Sequence, residues 1–222
     1  MKDSVKRALH GTRQAVVVTV VLMLICGLLF PLLLTGLSAL IFPDQAAGSL
    51  ITVDGKVVGA AHVGQEFLAD YYLWSRPSAY HYNVYVEDEE GNQFYQDGTE
   101  FPGLGSGSNN YAPSNPDLAA RVEEDLQKFL EKNPDVRRED IPTDLLTASG
   151  SGLDPHISPA AAEVQIPRIV KASGLDEQTV HEIIERHTSG KLLGIFGEET
   201  VNVLEVNIEI AREMGLISQV SE

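Results

Sequence analysis

Cysteine is all but missing. The one thiol in 222 residues, Cys26, sits inside an apolar run, so whatever folds beyond that run has no disulfide and no thiolate metal site. Positive charge is scarce as well, with 16 Lys and Arg against 32 Asp and Glu, net −16. Four of those cations and one acid, Asp3, fall within the first thirteen residues, leaving 12 basic and 31 acidic residues behind them, net −19. Such a field repels phosphate backbones and anionic headgroups, excludes a nucleic-acid role and gathers cations. The plainer reading is a solubilising surface, screened within about 8 Å at physiological salt. Charge of either sign vanishes from Gln14 to Pro43, thirty residues in succession.

That uncharged run is what the chain has in excess. At about 1.5 Å per residue, Ala15 to Phe42 exceeds the roughly 20 apolar residues that cross a bilayer. A cleavable secretory signal competes, helped by Ala46, Ala47 and Gly48, but its apolar centre spans only about 7 to 15 residues. A retained transmembrane helix is the expectation. Lys2, Lys6, Arg7 and Arg13 precede it, whereas Asp44 follows and no cation comes before Lys56, which puts the N-terminus in the cytosol. The expected layout is a cytosolic 1–13, a span over 14–43 and an extracytoplasmic domain over 44–222, large enough for one core. Mid-span Pro31 removes a backbone donor, and with Gly27, Gly36 and Ser38 it suggests close packing against neighbouring helices; a lone lipid-facing anchor is the alternative.

The expected fold class is α+β: one N-terminal membrane helix, then a single mixed domain. Ser49 to Val63 carries Asp54-Gly55 between short apolar stretches, the pattern of a tight hairpin. Phe67 to Tyr85 is dense in aromatics, which form a core or anchor an interface. Residues 87–102 turn acidic and Gly-rich, an exposed loop or long hairpin and the least ordered stretch expected. Gly103 to Pro116 is a run of turn formers, excluding helix and central strand. Asn115 then caps a helix with Pro116 first in it, running to about Lys132 with Leu118, Val122, Leu126 and Phe129 or Leu130 at helical spacing. A second loop, Thr147 to Ser158, leads to a helix capped by Ser158 and opened by Pro159, which Pro167 should kink or end. Asp176 caps a third helix with Val180, Ile183, Ile184 and His187 on one face. Glu198 to Met214 forms a fourth.

Catalytic patterns fail on spacing. His181-Glu182 and His187 evoke a metalloprotease helix, but six residues put the two rings roughly 120° apart rather than on one face. Ser149, Ser151, Asp154 and His156 have the residue types of a hydrolase set, yet triads draw their members from separate parts of a fold, and G-x-S-x-G is missing. Gly103, Gly105 and Gly107, like Gly150 and Gly152, could present N–H groups to an anion; neither loop continues as GK[ST], and Gly190-Lys191-Leu192 lacks the hydroxyl. These glycine loops either shape a contact surface or merely turn the chain.

Four stretches occur in order: YLWSRPSAYHYN (Tyr72 to Asn83), GSGSNNYAPSNPDL (Gly105 to Leu118), DLLTASGSGLDPHISPAAAEVQIPRI (Asp144 to Ile169) and LLGIFGEETVNVLEVN (Leu192 to Asn207). With the single span, they make the chain resemble the C subunit of the Kdp potassium-transporting ATPase. Residues 87–102 depart from the shorter link of that family. The resemblance implies an accessory, non-catalytic subunit of a complex that imports K⁺, beside an ion-selecting channel-like subunit, a P-type ATPase subunit and a small single-span subunit. It agrees with the lack of a DKTG phosphorylation motif. It also implies a catalytic chaperone that raises ATP affinity, with Gln165 touching nucleotide and ATP bound only in complex with the ATPase subunit. That contact conflicts with the topology, since Gln165 falls outside and ATP is cytosolic. The expected partner contacts are Trp74, Arg76, Pro77, Ser149, Gly150, Ser151, Gly152, Asp154 and His156. The alternative is a stand-alone anchored solute-binding or hydrolase domain.

Overall fold

The computed structural model describes residues 2–218 and 220–221, with side chains from residue 11 to 218, so the flanking cations Lys2, Lys6 and Arg7 lie outside the described side chains. The chain divides between Ser49 and Leu50 into two units.

The first unit is helical. α1 (Lys2–Leu24) passes through a π-helical turn (Ile25–Leu29) into α2 (Phe30–Ile41), and Gly11–Ile41 is long and apolar enough to cross a membrane. Every described side chain from Gly11 to Phe42 is exposed. Pro31 accounts for the π turn: it has no N–H for the carbonyl four residues back and its ring crowds that carbonyl. The register widens, and Phe30 N–H donates to Ile25 O, five residues back. Within α2, at about 100° per residue, Pro31 and Ser38 share one stripe, while Gly36 lies roughly 140° from Pro31 and Gly27 sits in the π turn itself. The helix stops at Phe42, before Pro43, because a residue preceding proline is pushed out of helical backbone. The short α3 (Pro43–Ala46) follows.

The second unit opens with β1 (Leu50–Val53) and β2 (Lys56–Ala60), antiparallel and joined through Asp54 and Gly55, whose φ values of 48° and 77° make the left-handed turn expected of Asp-Gly. The third strand of this sheet is β8 (Val220–Ser221), paired with β1. β3 (Tyr85–Glu87), which enters 87–102 only at its last residue, pairs with β4 (Gln93–Tyr95) inside that stretch as a regular hairpin. Asp88 orders its turn by accepting from the N–H groups of Glu90 and Asn92, and Tyr85 stacks on Phe101 at 4.7 Å. The stretch expected to be least ordered is therefore built on local pairing.

α4 (Pro116–Lys132) begins as expected, with Asn115 accepting from Asp117 N–H, and buries Leu126 and Phe129. β5 (His156–Ile157) lies inside the stretch expected to be loop, then come α5 (Pro159–Glu163) and α6 (Ile166–Ser173). The break between these two helices lies upstream of Pro167, which sits in the first turn of α6; its missing N–H and ring bulk act on the carbonyl of Glu163. Gly174 ends α6 at φ 76°, and Asp176 caps α7 (Glu177–Arg186) by accepting from Thr179 N–H. β6 (Thr188–Ser189), β7 (Thr200–Asn202) and α8 (Val203–Glu213) complete the unit. The expected fourth helix thus starts later than Glu198: Thr200 to Asn202 pair as the central strand of β5-β7-β6, and Asn202 caps α8 by accepting from Glu205 N–H. Val180, Ile183, Val201, Val206 and Ile210 are fully buried in the core between this sheet and the helices. Truncating Ile183 or Ile210 to alanine costs about 2 to 5 kcal/mol.

Candidate functional site

Two side-chain amides hold the segment that leads into the site. Asn207 of α8 accepts from Leu73 N–H at 2.7 Å and donates to Leu73 O at 2.8 Å. Gln165, entirely buried between α5 and α6, does the same for the next residue, accepting from Trp74 N–H at 2.8 Å and donating to Trp74 O at 3.2 Å. In a sheet, neighbouring backbones would make these pairs; here two amides replace them. The other two hydrogen-bonding positions of Gln165 are taken by Ala161 O, at 3.0 Å from Nε2, and Arg168 Nη2, at 2.7 Å from Oε1. An amide has two donor and two acceptor positions, so Gln165 has none left for a ligand in this conformation.

Arg168 closes the arrangement. Its Nη1 donates to the carbonyls of Asp70 and Tyr72, its Nε to Asn133 Oδ1 at 3.1 Å, and its Cζ lies over the Trp74 ring, 4.2 Å from the centre. Burial without a carboxylate bonded to it pulls the guanidinium down to about 10. Trp74 is bonded inward too, through Nε1 to Ala69 O at 3.1 Å and edge-on to Phe129.

Beyond Trp74 the three loop stretches singled out in the sequence are laced into one platform. Arg76 donates through Nη1 to Asp154 Oδ2 at 3.1 Å and through Nε to Thr147 O at 3.3 Å. Asp154 Oδ1 accepts from His156 N–H at 3.1 Å. Ser78 Oγ donates to Gly152 O, Gly107 N–H to Ser151 O at 2.7 Å, and Gly64 N–H to Leu153 O at 2.9 Å. Asn83 clamps Gly105, accepting from its N–H at 2.9 Å and donating to its carbonyl at 3.0 Å. Gly152 has to be glycine, since its φ is 66° and a Cβ there would run into the Gly107 carbonyl.

His81, Tyr82 and Asn83 form a left-handed turn, with φ of 44°, 54° and 58°. Such backbone costs an L-residue about 1 to 2 kcal/mol and has to be imposed from outside. Tyr82 supplies part of that, its hydroxyl donating to Arg76 O at 3.0 Å with Asp154 O at 3.3 Å; burial and then Asp154 push its pKa upward. His81 supplies the rest, with Nδ1 2.9 Å from Glu66 Oε1 and Nε2 3.7 Å from Asp97. Burial raises the Glu66 pKa, and its Oε2 is buried without a hydrogen-bond partner. His81 and Asp97 border a cleft of about 370 Å³ whose other wall is Leu118, Arg121, Asp125 and Lys128 of α4.

The structure brings the chemically suggestive residues together without hydrolase geometry. Ser149 and Ser151 hydroxyls lie 3.2 Å apart and accept from Gly152 and Leu153 N–H; neither is bonded to His156 among the described residues. Of the expected contact set, Ser149 and Gly152 are buried, Trp74, Arg76, Pro77, Asp154 and His156 partly so, and Gly150 and Ser151 exposed. His181 of α7 and His187, just past its end, face different ways: His181 meets Glu163 at 3.1 Å, and His187 meets Glu205 at 3.2 Å and Glu209 at 2.7 Å. Sequence reasoning passed over Asn207, Arg168 and Asn83. Asn207 had a signal, because it falls on the buried stripe of α8 with Val203 and Ile210, where a polar residue must find an internal partner.

Among the described residues, one helix is long and apolar enough to span a bilayer, and it precedes one mixed α/β unit whose loops are bonded into a platform. A family model described as K⁺-transporting ATPase, c chain, matches residues 12–212, and the chain belongs to this KdpC family. It is 52% identical over 209 residues to a potassium-transporting ATPase KdpC subunit of Clostridium kluyveri, covering 94% of this chain and 97% of that one. The KdpC subunit of Clostridioides difficile is 50% identical over 92% of this chain and 98% of its own, and that of Caldanaerobacter subterraneus 42% identical over 91% and 95%.

Proposed function

We propose that this chain is the accessory subunit of an ATP-driven potassium uptake complex. Its single helix anchors it with the N-terminus in the cytosol, and its mixed domain stands outside, supporting assembly and capping the ion entrance of a channel-like subunit. The observation that carries this reading is the inward bonding of the platform: Trp74, Arg76, Asp154 and Gln165 spend their polar groups on holding loops in shape. A surface so fixed suits recognition by shape, with Gly150, Ser151 and their surroundings as the exposed face. The net −19 beyond residue 13 would gather K⁺ at such an entrance.

The other partners are the P-type ATPase subunit and a small single-span subunit. The filled hydrogen-bonding positions of Gln165 support an indirect influence on ATP affinity, exerted through the conformational equilibrium of the ATPase subunit. A stand-alone solute-binding or hydrolase domain is the second reading, favoured by the cleft beside His81.

Topology is tested by replacing Cys26 with Ser, placing a cysteine at the exposed Leu104 and treating intact cells with a membrane-impermeant maleimide. Labelling without permeabilisation is expected; labelling only after permeabilisation overturns the outside placement. An accessory subunit should also co-purify in fixed ratio with tagged partner subunits, whereas a monodisperse, independently active chain would establish the second reading.

A further inference from the structure

Between β6 and β7 the chain turns back through Lys191 to Glu199 and leaves four large apolar side chains outside: Leu192 70%, Leu193 81%, Ile195 76% and Phe196 61% exposed. None belongs to the buried core. Their display is imposed by the backbone. Leu192 and Phe196 exchange hydrogen bonds of 2.8 and 3.0 Å, Gly194 N–H donates to Lys191 O at 2.9 Å and Ile195 N–H to Leu192 O at 3.2 Å. Leu193 is held at φ 55° between these bonds, a conformation that non-glycine residues avoid. The stem is firm, since β6 pairs with β7, the central strand of its sheet. A tip with its backbone largely satisfied and its side chains greasy is ready to enter a dry environment.

We propose that this tip docks into an apolar groove, rimmed by cations, on a membrane-embedded subunit of the same complex. The rim charge follows from the neighbours of the tip. Glu198 and Glu199 stand beside it, Lys191 at its start is paired with Glu198 at 3.3 Å, and the chain beyond residue 13 is strongly acidic. Loops that enter a lipid surface carry Lys, Arg, Trp or Tyr at their flanks and are drawn to anionic headgroups; this one would be repelled. The inference rests on the assembly reading above.

The test uses the full chain with Cys26→Ser and Ile195→Cys, labelled with an environment-sensitive NBD fluorophore. Blue-shifted emission is expected on assembly with the other subunits, with none in the chain reconstituted alone into phosphatidylcholine vesicles, with or without phosphatidylglycerol. A shift in vesicles alone means lipid insertion and overturns the proposal, as does no shift in the complex. In parallel, Leu193→Asn with Phe196→Ser should reduce recovery on a tagged partner subunit about tenfold or more with the unfolding temperature unchanged. Unaltered recovery overturns the docking tip alone. Failure of the wild-type chain to co-purify overturns the assembly reading and the docking tip with it.

Discussion

Gln165 works as a bracket, because replacing its amide takes the partner from the part-buried Trp74 N–H and Trp74 O and from the buried Ala161 O, and frees one donor of Arg168. Gln165→Leu is expected to destabilise the full chain by about 3 kcal/mol, read by denaturant unfolding in detergent. A loss below about 1 kcal/mol would mean that the bracket is dispensable. Two carboxylates pull the pH dependence in opposite directions. Glu209 is opposed by burial but held below its ordinary 4.5 by hydrogen bonds from Arg186 and His187, so its contribution is present above 4.5 and disappears as pH falls through the lower folded value. Glu66 is raised by burial, against the pull of His81 and with Asp97 adding to the rise, so its ionised form costs stability as pH climbs past 4.5. Glu66→Gln should therefore gain on the wild type as pH rises above 4.5. Unfolding midpoints that stay parallel as pH rises from below 4.5 would sink the assignment.

Elements in this chain follow from local chemistry wherever a cap or a turn residue was available. Asn115, Ser158 and Asp176 each accept a first-turn N–H as their sequences implied, and Asp54-Gly55 turns the first hairpin. The strand β7 was hidden, since three residues are too few to show alternation, although Asn202 followed by Glu205 is a readable helix start. The platform was illegible for a different reason. Its bonds join Leu73 to Asn207, Trp74 to Gln165 and Arg76 to Asp154, at separations of 134, 91 and 78 residues, and no local pattern encodes such pairings. Loop composition announced that 103–116 and 147–158 were special without saying that they are bonded to each other. In the first unit, Pro31 foretold a disturbed helix and the structure gives it as a π turn. Pro31→Ala restores the missing donor and should let the turn tighten to α, rotating the two halves of the helix by about 100°. Spin labels placed on either side would report that rotation as a changed distance; an unchanged distance would show that the π turn does not depend on proline.

At the scale of the whole molecule the dominant quantity is charge: 31 acids against 12 cations beyond residue 13. Many of the acids are locally paired, such as Glu123 with Arg138 and Asp140 with Arg137, yet pairing does not cancel the excess. A field of this sign enriches monovalent cations near the surface, by an amount that depends on screening, and the Debye length shrinks from about 30 Å at 0.01 M to about 8 Å at 0.15 M. If the domain stands over the ion entrance, the assembled pump should experience that enrichment as an apparent affinity. Raising choline chloride from 0.01 to 0.15 M is then expected to increase the apparent KM for K⁺ about twofold or more, with kcat little changed and sucrose at matched osmolality without effect. Charge belonging to the other subunits would give the same trend, so the comparison that decides is a complex carrying this chain with Asp88, Glu89, Glu90 and Asp97 neutralised. All four acids are exposed side chains of the hairpin segment 85–101. A shallower salt dependence in that complex would assign the enrichment to this domain, whereas an identical one would leave it a cap that acts through shape alone.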